Sequence, residues 1–431
     1  MKKTSLVAVL TACALLTSLT PAVASVNGPH PGAPFGGSSV RGGDRTFFEN
    51  HEDLSQRQPG EVLATRNIAY SAFGLQTPLN VTQIRYVTTD AQGNKVHGIT
   101  SVVNPIAPSN GKLVSVHSVY DSLDPEHSPS RSIAGDVSFG NLAASGETAM
   151  IISFLNRGYS VAIPDIEGQD AHFIAGPEYG TTTLDGIRAA LHAPETGLNQ
   201  DSQVGLLGYS GGSIATNWAA QLAPTYAPEI NDNLVGAATG GVLVNPENNI
   251  NYVSGSVLWA PIQLMAIAGL ARSYDLDLDP YLSDFGRFMV NRVEKAAITE
   301  VHGTAPGLTW ESLMKPEYAN PRSIPGLGEV LDKVNMHLGP NPTVPFYYAT
   351  GTAGDIVGTP GNKPGIGPGD GVMIAGDSKV LADKYCEGGA AVQYEELPLD
   401  HMGTAVPWYV KSAGWLFDRF DGKAAPSTCG A

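Results

Sequence analysis

Leu206-Leu207-Gly208-Tyr209-Ser210-Gly211-Gly212 is an apolar run that ends in Gly-x-Ser-x-Gly, and a helical pattern follows at once. A serine on a tight turn between a strand and a helix projects its hydroxyl alone above the sheet. Glycines two before and two after it are needed because strand end and helix start nearly touch there, and a Cβ would clash. The motif alone is weak: with 50 glycines in 431 residues, chance supplies on the order of half a match. Context raises it above a glycine-rich turn with a surface serine. Val204 to Leu207 reads as a buried strand, and Ile214, Ala215, Trp218, Ala219 and Leu222 recur at helical spacing.

Working outward, the chain opens with alternating apolar residues: Val62 and Ala64, then Val81, Ile84, Tyr86 and Thr88. A turn at Asp90-Ala91-Gln92-Gly93-Asn94 returns it into Val96 to Val103, a hairpin-rich antiparallel start. From Leu113 onward, short apolar runs alternate with helical stretches, the signature of a parallel sheet. Strands are expected at 113–119, 159–163, 204–207, 234–243, 344–350 and 392–397. Helices are expected at 146–156, 183–192, 378–385 and 406–420. The fold class is therefore α/β, an α/β-hydrolase arrangement with a mostly parallel sheet.

Between residues 246 and 341 the alternation stops and the pattern turns helical, with Trp259, Ile262, Met265, Ala266 and Leu270 on one face. Such an insertion between two core strands is expected to be a helical cap over the sheet's C-terminal edge, shaping an acyl pocket and excluding water. The expected organisation is a signal segment at 1–24, a first core part with an N-terminal arm at 25–245, the cap at 246–341 and a second core part at 342–431.

Composition bounds the partners. A formal charge of −16 argues against nucleic acid and anionic membranes, which repel an acidic surface. Lys2 and Lys3 precede a short apolar run, and Ala22-Val23-Ala24 offers a small-x-small cleavage site. The run falls short of the roughly 20 apolar residues that span a bilayer. Leu10-Thr11-Ala12-Cys13 has the look of a lipoprotein signal, but the apolar run before it is short and continues past it. Cleavage after Ala24 and release from the cell are the expectation. Removing the signal leaves Cys386 and Cys429, an even pair in an exported chain and hence an expected disulfide. It would close a loop containing His401, with a stabilisation of roughly 4 kcal/mol in the chain-entropy view.

A serine hydroxyl needs a base to take its proton, and the base needs an orienting acid. The expected chain order is Ser, then acid, then His. His401, in Leu399-Asp400-His401-Met402-Gly403, alone among ten histidines follows the last predicted core strands, and it reads as a loop residue. Asp355, just past the strand at 344–350, is the favoured acid. Asp370 and Asp377, in the Gly/Pro-rich stretch that follows, are its rivals, and Asp400 is disfavoured as the histidine's neighbour. The oxyanion donors are expected to be the amides of Gly211 and Asp121. A charged Asp121 carboxylate would repel an oxyanion, so its amide must donate or its carboxyl must be protonated. No metal-binding spacing and no cofactor motif rise above background.

Four blocks carry a family likeness: Gly208-Tyr209-Ser210-Gly211-Gly212, Val119-Tyr120-Asp121, Ile163-Pro164-Asp165-Ile166-Glu167-Gly168 and Thr183-Leu184-Asp185-Gly186-Ile187-Arg188-Ala189-Ala190. Together they resemble the secretory lipase family, which includes the yeast lipase A enzymes, from about Glu61 to the C-terminus. The resemblance implies an α/β-hydrolase with a helical cap that cleaves carboxylic esters, often acylglycerols, without a cofactor. It implies Ser210 as nucleophile, Asp355 as acid, His401 as base, and Asp121 and Gly211 as oxyanion donors. The Pro-Asp and Leu-Asp-Gly-x-Arg blocks read as structural. The stretch at 358–376 departs from the family by its length. A small-molecule or lipid ester is the expected partner, with transient contact between cap and lipid interface and no obligate protein partner. An acyltransferase or peptidase with the same triad is the alternative; a non-catalytic binding protein is a third reading.

Overall fold

The computed structural model describes residues 44–430. The expected signal segment and the start of the arm lie outside them. Among the described residues no helix is long and apolar enough to cross a membrane.

One nine-stranded sheet organises the chain. Its strands are β1 (Val62–Ala72), β2 (Leu75–Thr89), β3 (Lys95–Val103), β4 (Leu113–His117), β5 (Ser160–Pro164), β6 (Val204–Tyr209), β7 (Leu234–Gly240), β8 (Phe346–Gly351) and β9 (Val392–Leu397). The spatial order is β1-β2-β3-β5-β4-β6-β7-β8-β9. The first three are antiparallel, and β3 also meets β5 antiparallel. Every pairing beyond that is parallel.

Local chemistry explains both textures. β1 turns into β2 through Phe73 and Gly74, both at positive φ (51° and 74°), which matches the twist a two-residue hairpin requires. Between β2 and β3, the Asp90 carboxylate accepts from the amides of Gln92 at 2.9 Å and Asn94 at 2.8 Å, closing the turn. Strands β4, β5 and β6 are buried at every residue, as a parallel sheet covered on both faces demands.

Helices cover the two faces. Helix α1 (Thr148–Leu155) lies on one face with the C-terminal helix, Phe154 stacking on Phe417 at 5.1 Å between ring centroids. On the other lie α2 (Gly176–His192) and α3 (Gly211–Tyr226). They approach closely because Gly180 faces Trp218, where a Cβ would stand 2.8 Å from the Trp218 carbonyl carbon. Between β7 and β8 the chain is helical, including α4 (Pro246–Val253), α5 (Ile262–Ser273) and α6 (Asp284–Arg292). Helix α7 (Ala375–Glu387) precedes β9, and α8 (His401–Phe420) follows it. Cys386, at the end of α7, is bonded to Cys429, with 5.5 Å between Cα atoms.

The order of strands places the site. From β4 the chain crosses to β5 on one side, then returns to β6 on the other. Loops leaving β4 and β6 therefore diverge above the sheet and open a crevice at its carboxyl edge, where ligands bind in such sheets. Asp121 follows β4 and Ser210 follows β6.

Candidate active site

Ser210 sits at φ 53°, ψ −122°, a conformation costly for a residue with a Cβ and held only where surroundings dictate it. What dictates it is crowding at the strand–helix junction. A Cβ on Gly208 would stand 2.2 Å from the Gly212 carbonyl oxygen, and one on Gly212 would stand 2.0 Å from that of His117. The turn lifts the serine hydroxyl to 2.8 Å from His401 Nε2.

The other ring nitrogen of His401 lies 2.7 Å from Asp370 Oδ2. Asp370 Oδ1 accepts from the amides of Val372 at 3.0 Å and Met373 at 2.7 Å, so its carboxylate is held on both oxygens. The structure thus brings together Ser210, His401 and Asp370. Asp355, the expected acid, does not join them: it is exposed, on a 3-10 turn (Gly354–Val357) after β8. The chain runs past it, loops through the Gly/Pro-rich stretch and comes back, with the Gly354 amide bonded to the Gly369 carbonyl at 2.8 Å. Asp370 returns to the place at the sheet edge where the residue just after β8 was expected. Asp377 instead accepts from Asn248 Nδ2 at 3.0 and 3.1 Å.

His401 is not a loop residue. It opens α8, and Asp400 is the cap, its carboxylate accepting from the Gly403 amide at 2.6 Å. Pro407 lies inside this helix, and the helix begins before the expected 406. The imidazole is packed by Tyr209 (5.1 Å between centroids) and Trp259 (5.3 Å), and His302 stacks on Trp259 at 4.4 Å. Burial, with a smaller push from His401, holds the His302 pKa below its ordinary value, so a neutral ring lies over the site.

Gly211 is the first residue of α3, where the helix leaves amides without intrahelical acceptors. Directly over it lies the Asp121 side chain: a Cβ on Gly211 would stand 1.9 Å from Asp121 Oδ1. Asp121 Oδ1 is buried without a hydrogen-bond partner among the described residues. Burial pushes the Asp121 carboxyl up to about 7, against a smaller opposing pull from His401. Below neutrality the carboxyl is neutral, which removes the repulsion that a carboxylate would impose on a nearby oxyanion.

From Asp121 and Gly211 a mostly apolar cleft of about 500 Å³, mouth included, runs between core and inserted helices. Phe173, Ile214, Leu243, Ile262 and Ala266 are among its walls. Its lining, apolar with a few polar groups at one end, is that of a small-ligand site. The inserted segment also touches the loop after β4. The Ile298 amide donates to the Asp121 carbonyl at 2.9 Å, the Leu123 amide to the Ala296 carbonyl at 2.9 Å, and Arg272 Nη1 to the Leu123 carbonyl at 2.7 Å. Sequence reasoning did not find these ties, nor the aromatic pair Trp259 and His302, because they join segments distant in the chain. Among the described residues no cluster of three or more metal-ligating side chains occurs.

Comparisons with known proteins point to lipases and esterases. The family model for secretory lipases matches residues 136–304. The chain is similar to Lipase 5 of Candida albicans, 27% identical over 403 residues that cover 89% of this chain and 82% of that protein. It is also similar to a Mycobacterium tuberculosis protein named "Probable inactive lipase", 28% identical over 388 residues, 88% of this chain and 82% of the other. Among solved structures it resembles Candida antarctica lipase A in its closed state, with a TM-score of 0.78 and 25% identity, covering 90% of this chain and 88% of that one. The chain is similar to the secretory lipases over residues 136–304, and with its lipase relatives and fold it is a carboxylic ester hydrolase.

Proposed function

We propose that this protein is a secreted serine ester hydrolase that cleaves acyl esters, acylglycerols among them, through an acyl-enzyme on Ser210. The observation that carries the reading is the continuous relay from Asp370 to His401 to Ser210, at 2.7 and 2.8 Å, opening on a mostly apolar cleft. In this reading His401 Nε2 takes the Ser210 proton as Oγ attacks the ester carbonyl, and Asp370 stabilises the resulting imidazolium. The amides of Gly211 and Asp121 receive the developing oxyanion. His401 then gives its proton to the leaving alcohol, and water repeats the sequence to free the acid. The acyl chain lies in the cleft, and the segment at 246–341 acts as a cap that meets the lipid interface.

A non-catalytic reading is favoured by one observation, the similarity to a relative named as an inactive lipase. One experiment separates the two. Purified protein and S210A are assayed on p-nitrophenyl esters from acetyl to palmitoyl. Turnover by the wild type that S210A loses by at least about 10³-fold supports the hydrolase. Equal rates in both would overturn it.

A further inference from the structure

The loop that carries Asp121 is held by two buried carboxyl groups, one on each side of it. Upstream, Glu147, the residue just before α1, accepts from the Val119 amide at 2.8 Å. Downstream, Glu167, in the loop after β5, accepts from the Ser122 amide with both oxygens at 3.1 Å. The Glu167 amide in turn donates to the Tyr120 hydroxyl at 2.9 Å. A chain of bonds continues outward: Tyr179 donates to Glu167 Oε1 at 3.1 Å and accepts from the Ile174 amide at 2.9 Å. Ile174 is itself a wall of the cleft.

Neither glutamate is at a position where packing alone calls for a carboxyl group. Glu167 is fully buried and Glu147 is 9% exposed; among the described residues neither forms an ion pair, and Arg272 is only a minor attraction on Glu167. Burying a carboxyl group without a countercharge is costly, and a leucine would pack the same space. Burial raises the Glu167 pKa well above its ordinary value, with Asp121 adding to it. It also brings Glu147 up to about 7. A protonated carboxyl keeps an oxygen to accept from an amide and adds no charge beside an oxyanion.

We propose that Glu147 and Glu167 are positioning residues that fix the Asp121 amide for the oxyanion, by holding the amides of Val119 and Ser122 on either side of it. The inference rests on the role given above to Ser210 and the Asp121 amide. A shift of about 1 Å in such a donor costs on the order of 10²-fold in rate, and loss of one oxyanion donor costs about 10² to 10³. Because the donor engages charge that develops only in the transition state, the loss falls on kcat rather than KM.

The test compares E147L and E167L with E147Q and E167Q on p-nitrophenyl butyrate, with S210A as the blank. The leucine variants are expected to lose about 10- to 100-fold in kcat with KM within about twofold. The glutamine variants, which keep an acceptor oxygen, are expected to recover to within about threefold of wild type. Leucine variants at wild-type kcat would overturn the proposal, and so would glutamine variants that fall as far as the leucines. Should the leucine variants fail to fold, E147D and E167D decide: each keeps the carboxyl but draws it back by one methylene. A fall of at least about fivefold in kcat supports positioning, and wild-type kcat in both refutes it. Activity that survives in S210A would instead overturn the hydrolase reading itself.

Discussion

Asp370 holds His401 twice: its carboxylate lies 2.7 Å from Nδ1, and its backbone carbonyl accepts from the His401 amide, also at 2.7 Å. One residue therefore fixes both the ring and the start of the helix that carries it. With Nδ1–H bound to Asp370, Nε2 is the unprotonated nitrogen facing Ser210, the tautomer a general base needs. D370N is expected to lower kcat by about 10³- to 10⁴-fold, since the amide can donate to Nδ1 and favour the wrong tautomer. D355N, altering an exposed turn, is expected to stay within about threefold. Steady-state kinetics on one ester checks both, and the opposite ranking would return the acid to Asp355.

The place of the acid also shows where sequence reading runs out. The elbow, His401 and the parallel sheet were legible because each depends on neighbours in the chain: apolar runs, glycine spacing, strand–helix alternation. The same local logic points to Asp355, the first acid past β8. The loop from 352 to 371 defeats that logic, because its closure is decided by contacts of residue 354 with residues 369 to 371. Such backbone pairings leave no periodicity to read. The same holds for Trp259 over His401 and for the ties between Asp121 and Ile298. By contrast, Glu167 lies in a block read as structural, and its bond to Ser122 became visible only when both loops were in place.

Strain at Ser210 is measurable as stability. Ser210 is held at φ 53°, a conformation whose cost is about 1 to 3 kcal/mol for a residue with a Cβ. S210G relieves it, against a loss of about 0.5 to 1 kcal/mol from glycine's freer unfolded chain. S210G is therefore expected to be more stable than S210A by about 1 kcal/mol, with both inactive. Denaturant unfolding compares them. An S210G protein less stable than S210A would show that the turn is unstrained.

Buried carboxyls near the site set a pH dependence of stability. Burial raises Asp121 and Glu147 to about 7 and Asp185 to about 6, whereas in the unfolded chain such groups titrate near about 4. Between those values the folded protein binds more protons than the unfolded one, so stability falls as pH rises. The contribution is complete below pH of about 4 and gone above about 7. Exposed carboxylates with lowered pKa, such as Asp44 and Asp418, change stability only below this window. Buried His117, held down to about 3, acts in the opposite direction in wild type and variant alike, so the test is the difference. From pH 4.5 to 7.5 the wild type is expected to lose melting temperature relative to E147Q, which cannot titrate there. A curve for E147Q parallel to wild type would remove Glu147 from the account.

Ala266 tests where the acyl chain goes. It sits on α5, 8% exposed, in the wall of the cleft that starts at Asp121 and Gly211. A phenylalanine there projects into the cleft and shortens it, while the reacting end is left alone. Each methylene excluded from an apolar pocket is worth about 1 to 3 kcal/mol in discrimination. A266F is expected to lose more than about tenfold in kcat/KM on palmitoyl esters while butyryl esters stay within about threefold. Crowding a packed site also costs about 1 to 3 kcal/mol, so the melting temperature is read alongside. Equal loss on both esters with a lowered melting temperature would mean disrupted packing. An unchanged chain-length profile in a well-folded A266F would place the acyl chain outside this cleft.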